Sequence, residues 1–190
     1  MATVTVLPNA DHTTLGTWNI FGGPASRYLA INNGTATPDD TDYVQNNPPE
    51  GTFNRYMFMG FEDMPGDFDT ITSVTAKVRQ KIFVQAGQDG VKYQIFESDE
   101  TTALTDQIAL DADGTDISSS YRTDTLNFTV TGSTSKTAWD GARMKFNHDG
   151  GGDGDDPDYY ISELELDLVY TATGGGSTSN PQAFALFLDL

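Results

Sequence analysis

The chain has no cysteine. Disulfides, thiolate metal sites and cysteine nucleophiles are therefore excluded, and packing alone must hold the fold together. Cations are scarce as well, with 10 Lys and Arg against 28 Asp and Glu and a net charge of -18. Such a surface repels phosphate backbones and anionic headgroups, so no nucleic-acid partner is expected. Long apolar runs are missing. The opening "MATVTVLPNADHT" carries neither a basic leader nor an apolar stretch of signal-peptide length, and the final apolar segment is far shorter than the about 20 residues that cross a bilayer, so no membrane association is expected. Histidine occurs only twice, His12 in "NADHTT" and His148 in "FNHDGGG", and there is no Gly-x-Ser-x-Gly elbow. Both histidines read as loop residues, too few for a zinc site and badly placed for a catalytic triad. The expectation is a protein without enzymatic activity, cofactor or metal.

What the chain does have is aspartate, threonine and glycine. Aspartate dominates the acids, and because it favours turns and caps over helix interiors, most of the negative charge belongs in loops. At 190 residues the chain is one domain by length, able to bury roughly 70% of the surface that its unfolded form exposes. Period-two alternation recurs between turn signals. "ATVTVL" places Val4 and Val6 together; "SRYLAIN" sets Arg27, Leu29 and Ile31 against Tyr28 and Ala30; "RYMFMGF" is apolar on both sides, as a strand covered on both faces is. In "SVTAKVRQKIFVQ", Val74, Ala76, Val78, Ile82 and Val84 point one way with Gln80 as the single polar member, while Lys77, Arg79 and Lys81 point the other. "VKYQIFE" follows. "TLNFTV" turns Leu126, Phe128 and Val130 inward, and "GARMKFN" does the same with Ala142, Met144 and Phe146. "YISELELDLVY" inverts the charge, with Leu164, Leu166, Leu168 and Tyr170 inward and Glu163, Glu165 and Asp167 outward. Only "TSKTAWDGA" suits a helical turn. About nine or ten short strands without a βαβ pattern specify an all-β, antiparallel, jelly-roll-like β-sandwich over residues 1–172.

Beyond it, residues 173–182 have the composition of a flexible linker, with a reach of about 15 to 20 Å as a coil. Residues 183–190, "AFALFLDL", then form a C-terminal apolar strand or arm. Phe184, Leu186, Leu188 and Leu190 share one face of it and Phe187 lies on the other, an assembly contact for a neighbouring molecule or a last strand of the same sandwich. The basic row Lys77, Arg79, Lys81 and the acidic row Glu163, Glu165, Asp167 have matching spacing, and two antiparallel strands can lay them side by side within one subunit or between two.

Other candidate sites read most simply as structure. The loop "HDGGGDGDDPDYY" offers Asp149, Asp153, Asp155, Asp156 and Asp158 to a calcium ion, but an EF-hand counted from Asp153 puts Pro157 at its fifth position and Leu164 at its twelfth, so a solvated hairpin loop is the better reading. Asp39, Asp40 and Asp42 in "TPDDTDYV" suit an Asx-type turn feeding a strand near Tyr43. Trp18 and Trp139 are able to stack on a sugar, although core or edge packing is the commoner fate of such residues.

The stretch Leu7-Pro8-Asn9-Ala10-Asp11, Trp18, the acidic "DDTDYV", the valine and basic alternation of "SVTAKVRQK", Trp139 and "ISELELDLVY" together resemble small jelly-roll structural proteins of tailed-bacteriophage virions. The resemblance covers most of residues 5–170. It implies a non-enzymatic virion component made in the host cytoplasm, foremost a capsid decoration (cement) protein that bridges the major capsid protein and copies of itself as a homo-oligomer such as a trimer. The alternative that it implies is a carbohydrate-binding module associated with the tail or a fibre.

Overall fold

A computed structural model describes residues 1–36, 38–46, 55–82, 90–110, 116–148 and 158–173. Among the described residues, eleven strands and two short helices follow in the order β1 (Ala2–Val6), β2 (Pro8–Leu15), β3 (Trp18–Phe21), α1 (Arg27–Ile31), β4 (Tyr43–Asn46), β5 (Arg55–Phe61), β6 (Phe68–Ile82), β7 (Val91–Phe96), β8 (Ile108–Leu110), β9 (Arg122–Phe128), α2 (Lys136–Trp139), β10 (Arg143–His148) and β11 (Tyr159–Ala172). They build two antiparallel sheets packed as a jelly-roll-like sandwich. The larger sheet has the order β3-β4-β11-β6-β9, and β1 joins it on β11; the smaller has the order β2-β5-β10-β7-β8.

β11 is the spine of the larger sheet. One of its edges is matched along nearly its whole length by β6, while the other is shared end to end by β4, opposite Tyr159–Ile161, and β1, opposite Leu166–Tyr170. The alternation in β6 sends Val74, Ala76, Val78, Gln80 and Ile82 into the core with at most 1% exposure, and Leu126, Met144, Phe146, Leu164, Leu166 and Leu168 meet them there. β5 lies between β2 and β10; Met57, Met59 and Phe61 face the core, while Phe58 on the other face is covered by Tyr56, Phe96 and Lys145, which accounts for the strand's apolar character on both sides.

Gln80, the polar exception, is completely buried and fully employed. Its Oε1 accepts bonds from the hydroxyls of Tyr93, at 2.6 Å, and Tyr159, and its Nε2 donates to Asp124 Oδ2 at 2.9 Å. A buried amide with satisfied partners fixes the facing of the sheets at one end of the sandwich instead of destabilising it.

Four expectations need correction. "SRYLAIN" is not a strand: Arg27–Ile31 form α1, because Asp11 on β2 accepts the backbone N–H groups of Arg27 and Tyr28 at 2.9 and 2.7 Å and so caps the first turn from a distance. His12 lies within β2, its ring over Gly60, where a Cβ would come within 2.4 Å of Nε2. His148 ends β10 and is buried, with Nδ1 2.8 Å from Asn46 Oδ1. Finally, Glu163 and Glu165 point away from the core, as the alternation requires, yet are not open to solvent. A register shift between Ile161 and Glu163 bends β11 there, and the loop around Thr35 and Asp39 covers both carboxylates.

Candidate binding platform

At the end of the larger sheet where β3, β4, β11 and β6 run side by side, alternation turns Trp18 and Ile20, Val44 and Asn46, Tyr159 and Ile161, and Gln80 and Ile82 inward. Their neighbours necessarily face out. Register aligns Asn19 with Gln45, Gln45 with Tyr160, and Tyr160 with Lys81, giving one row across four strands; Phe21 opposite Tyr43 starts the next. Tyr121, just ahead of β9, leans in beside them. The rings gather around Tyr43. Phe21 stacks on it at 4.8 Å and 15°, Tyr160 meets it edge-on at 5.6 Å, and Tyr121 is tilted at 6.5 Å. Phe21 is 39% exposed, and the three tyrosines are half-buried.

Polar groups are interleaved with the rings. The Lys81 ammonium sits between two of them, 4.3 Å from the centre of Tyr121 and 4.6 Å from that of Tyr160, a cation–π contact with each ring. Gln45 Nε2 donates to the Tyr160 hydroxyl at 3.3 Å, and that hydroxyl donates to Asp158 Oδ2 at 2.9 Å. Burial, helped by the Asp158 charge, pushes the Tyr160 hydroxyl up to about 12, so it remains a neutral donor at any physiological pH. Gly22, at φ +93°, lets the chain leave β3 hard against Asp42; a Cβ there would lie 1.8 Å from its carboxylate.

A strap of loop borders the platform. Asp39 N–H donates to Glu163 Oε1 at 2.8 Å and Thr35 N–H to Glu165 Oε2 at 3.0 Å, while Arg79 holds Asp40 in a fork at 2.7 and 2.6 Å. That bond to Arg79 keeps Asp40 below the usual carboxylate range, with Ser162 Oγ adding a further donor at 2.9 Å. Asp39 closes an Asx turn on the Thr41 amide at 2.9 Å, which launches β4.

Both charge rows are engaged within this one chain. Lys77 reaches Glu165 at 2.8 Å and Asp167 at 2.7 Å; Arg79 stands opposite Glu163 but is turned to Asp40; Lys81 stands opposite Tyr160 and is held by rings. The arm residues Phe184, Leu186, Phe187, Leu188 and Leu190 lie outside the described residues, as do residues 174–182 and Asp149, Asp153, Asp155 and Asp156 of the aspartate-rich loop. Among the described residues no group of three or more His, Asp or Glu is placed to hold a metal ion, and no enclosed pocket is present.

Neither tryptophan belongs to the platform. Trp139 is buried and donates from Nε1 to Ser133 O at 2.9 Å; Trp18 packs edge-on against Tyr159 at 6.3 Å, beneath the platform. A search of the sequence for exposed tryptophan therefore misses the rings that matter. Phe21 and Tyr43 each sit beside a residue that faces inward, Ile20 and Val44, whereas Tyr160 shares the parity of the inward row Leu164, Leu166 and Leu168 and is turned outward by the register shift between Ile161 and Glu163.

No family model matches the chain, and no curated protein matches it. Solved structures with a similar course of chain include an arabinose-bound GH51 α-L-arabinofuranosidase (9% identity, TM-score 0.49, covering 82% of this chain and 23% of that one). Another is the C-terminal family 6 carbohydrate-binding module of a laminarinase from Zobellia galactanivorans (10%, 0.43, 88% and 99%). A third is the enzymatically active domain of a tailspike protein of bacteriophage CBA120 (11%, 0.44, 88% and 19%). The chain thus spans about a quarter or less of the arabinofuranosidase and tailspike chains, and the whole of the binding module. These likenesses concern the fold, and the function has to be read from the residues.

Proposed function

We propose that this chain is a non-catalytic carbohydrate-binding β-sandwich, associated in a virion with the tail or a fibre. The observation that carries the reading is the platform of Phe21, Tyr43, Tyr121 and Tyr160, with Asn19, Gln45, Asp158 and Lys81 between and beside the rings. Sugars have one apolar face of C–H groups and a rim of hydroxyls, so their recognition calls for aromatic surface flanked by hydrogen-bonding side chains on rigid strands. The platform has both. Its base is a core of buried, bonded side chains around Gln80 and Tyr159, so binding needs little reordering.

Capsid decoration is the weaker reading for a physical reason. It came from the resemblance, and the features that could serve it lend no support: Lys77, Arg79 and Lys81 have partners in their own chain, and the apolar arm is outside the described residues. The test is affinity electrophoresis of the protein through gels containing bacterial surface polysaccharides and plant or algal glucans, xylans and mannans, with Tyr43→Ala alongside. Retardation of the parent and not of the variant is the expected result. A protein that runs unretarded in every gel, or a Tyr43→Ala variant retarded like the parent, overturns the proposal.

A further inference from the structure

We infer that the platform takes a short, uncharged segment of glycan, of roughly two sugar units, and rejects uronic and other acidic sugars. This inference rests on the carbohydrate-binding reading and adds ligand length and charge class to it. Length follows from how the rings are grouped. They do not form a line across the sheet; they cluster on Tyr43. Phe21 and Tyr121, on opposite sides of it, cannot be farther apart than 4.8 and 6.5 Å laid end to end, about 11 Å. A pyranose ring covers about the area of one six-membered aromatic ring, so the apolar footprint is filled by roughly two units. Nor is there a long walled cleft among the described residues to engage further ones.

Charge class follows from the groups that border the rings. Two cations are present, and neither is available as a counter-ion. Arg79 is committed to both oxygens of Asp40, and its guanidinium carbon lies 5.9 Å from the Tyr121 ring centre. Lys81 is wedged between Tyr121 and Tyr160, so turning toward an anion requires leaving both rings. With Asp40 and Arg79 compensating each other, the carboxylates of Asp42 and Asp158 remain, in a chain whose net charge is -18. An acidic sugar brought here meets repulsion and, among the described residues of the platform, finds no cation that is not already engaged, whereas a neutral one finds the acceptor oxygens of Asp158 and Gln45 for its hydroxyls.

The experiment is isothermal titration of the full chain at low salt with neutral gluco-, xylo-, manno- and galacto-oligosaccharides of one to six units, and with oligogalacturonides of the same lengths. Expected is a gain of about tenfold or more from one unit to two, a change of less than about threefold beyond that, and oligogalacturonide affinity at least about tenfold below that of the best neutral series. Added salt should narrow the second gap by screening, and Asp42→Asn should narrow it without salt. Affinity that keeps climbing to six units overturns the length inference. Oligogalacturonides that match or exceed the neutral series overturn the charge inference. In both cases binding that is lost in Tyr43→Ala leaves the carbohydrate reading intact; absence of any binding removes that reading and this inference together.

Discussion

Glu163 shows what one covered side chain does to the pH response. It is fully buried beneath the strap, bonded through Oε1 to the Asp39 amide, with Oε2 lacking a partner. Burial raises its pKa to about 7, opposed by the bond from the Asp39 amide and by Arg79 and reinforced by the charges of Asp39 and Asp40. A carboxyl raised in the fold holds its proton more tightly there than in the unfolded chain, so its contribution is full below about 4.5 and is lost as pH rises to about 7. Asp40, Glu165 and Asp167 are depressed instead, and their contributions are lost as pH falls below the usual carboxylate range. Stability should therefore peak near pH 5 and decline by no more than about 3 kcal/mol toward pH 8, as read from urea midpoints. Glu163→Gln should flatten that decline; an unchanged slope would assign it to other groups. At the same scale, Gln80→Leu should destabilise by about 1 to 3 kcal/mol, because the buried Tyr93 and Tyr159 hydroxyls and Asp124 lose their shared partner. Equilibrium unfolding of the variant checks it.

Among the elements, β11 and the strap decide whether the platform keeps its shape. β11 carries Tyr159 into the core and Tyr160 onto the platform in consecutive residues, so any slip of one residue exchanges them. The strap is fastened by the Arg79–Asp40 fork, a half-exposed pair whose loss costs about 1 kcal/mol in stability. Its effect on binding should be larger than that, since Arg79 is also one of the groups beside Tyr121. Asp40→Ala should speed amide exchange at Thr35 and Asp39 and weaken glycan binding about tenfold or more, while the unfolding free energy falls by only about 1 kcal/mol. Equal losses in stability and binding would mean that the strap serves only the fold.

For the molecule as a whole, the last described contact is Thr173 N–H donating to Asp67 O at 2.6 Å, one residue past β11. All the described strands and the platform residues precede that point. A chain ending at Thr173 is predicted to unfold cooperatively and to retain the glycan affinity of the full chain; an unfolded truncation would show that residues 174–190 supply part of the core. The net charge of -18 acts at this scale too. Self-repulsion opposes the compact state, so salt should raise the unfolding midpoint, while binding of a neutral sugar should change little with ionic strength. A steep salt dependence of neutral-sugar binding would contradict the ring-based mode.

Alternation in the sequence was enough to place the inward faces of β9, β10, β6 from Val74 onward and β11 from Glu163 onward, because a residue's facing on an unbroken strand depends on the parity of its position. For Tyr160, parity carried back from Leu164 gives the inner face, and the register shift between Ile161 and Glu163 reverses it; beyond that shift parity holds. It also put Glu163 and Glu165 on the outer face, correctly, without revealing that a loop from far along the chain covers them. α1 escaped the sequence for the same reason: its cap, Asp11, lies on β2, and five alternating residues suit either period. That the outward rings converge on Tyr43 was settled by register between β3, β4, β11 and β6, strands far apart in sequence. Parity is local and can be read along the chain, whereas register and cover arise only when distant segments pack, and the platform depends on both.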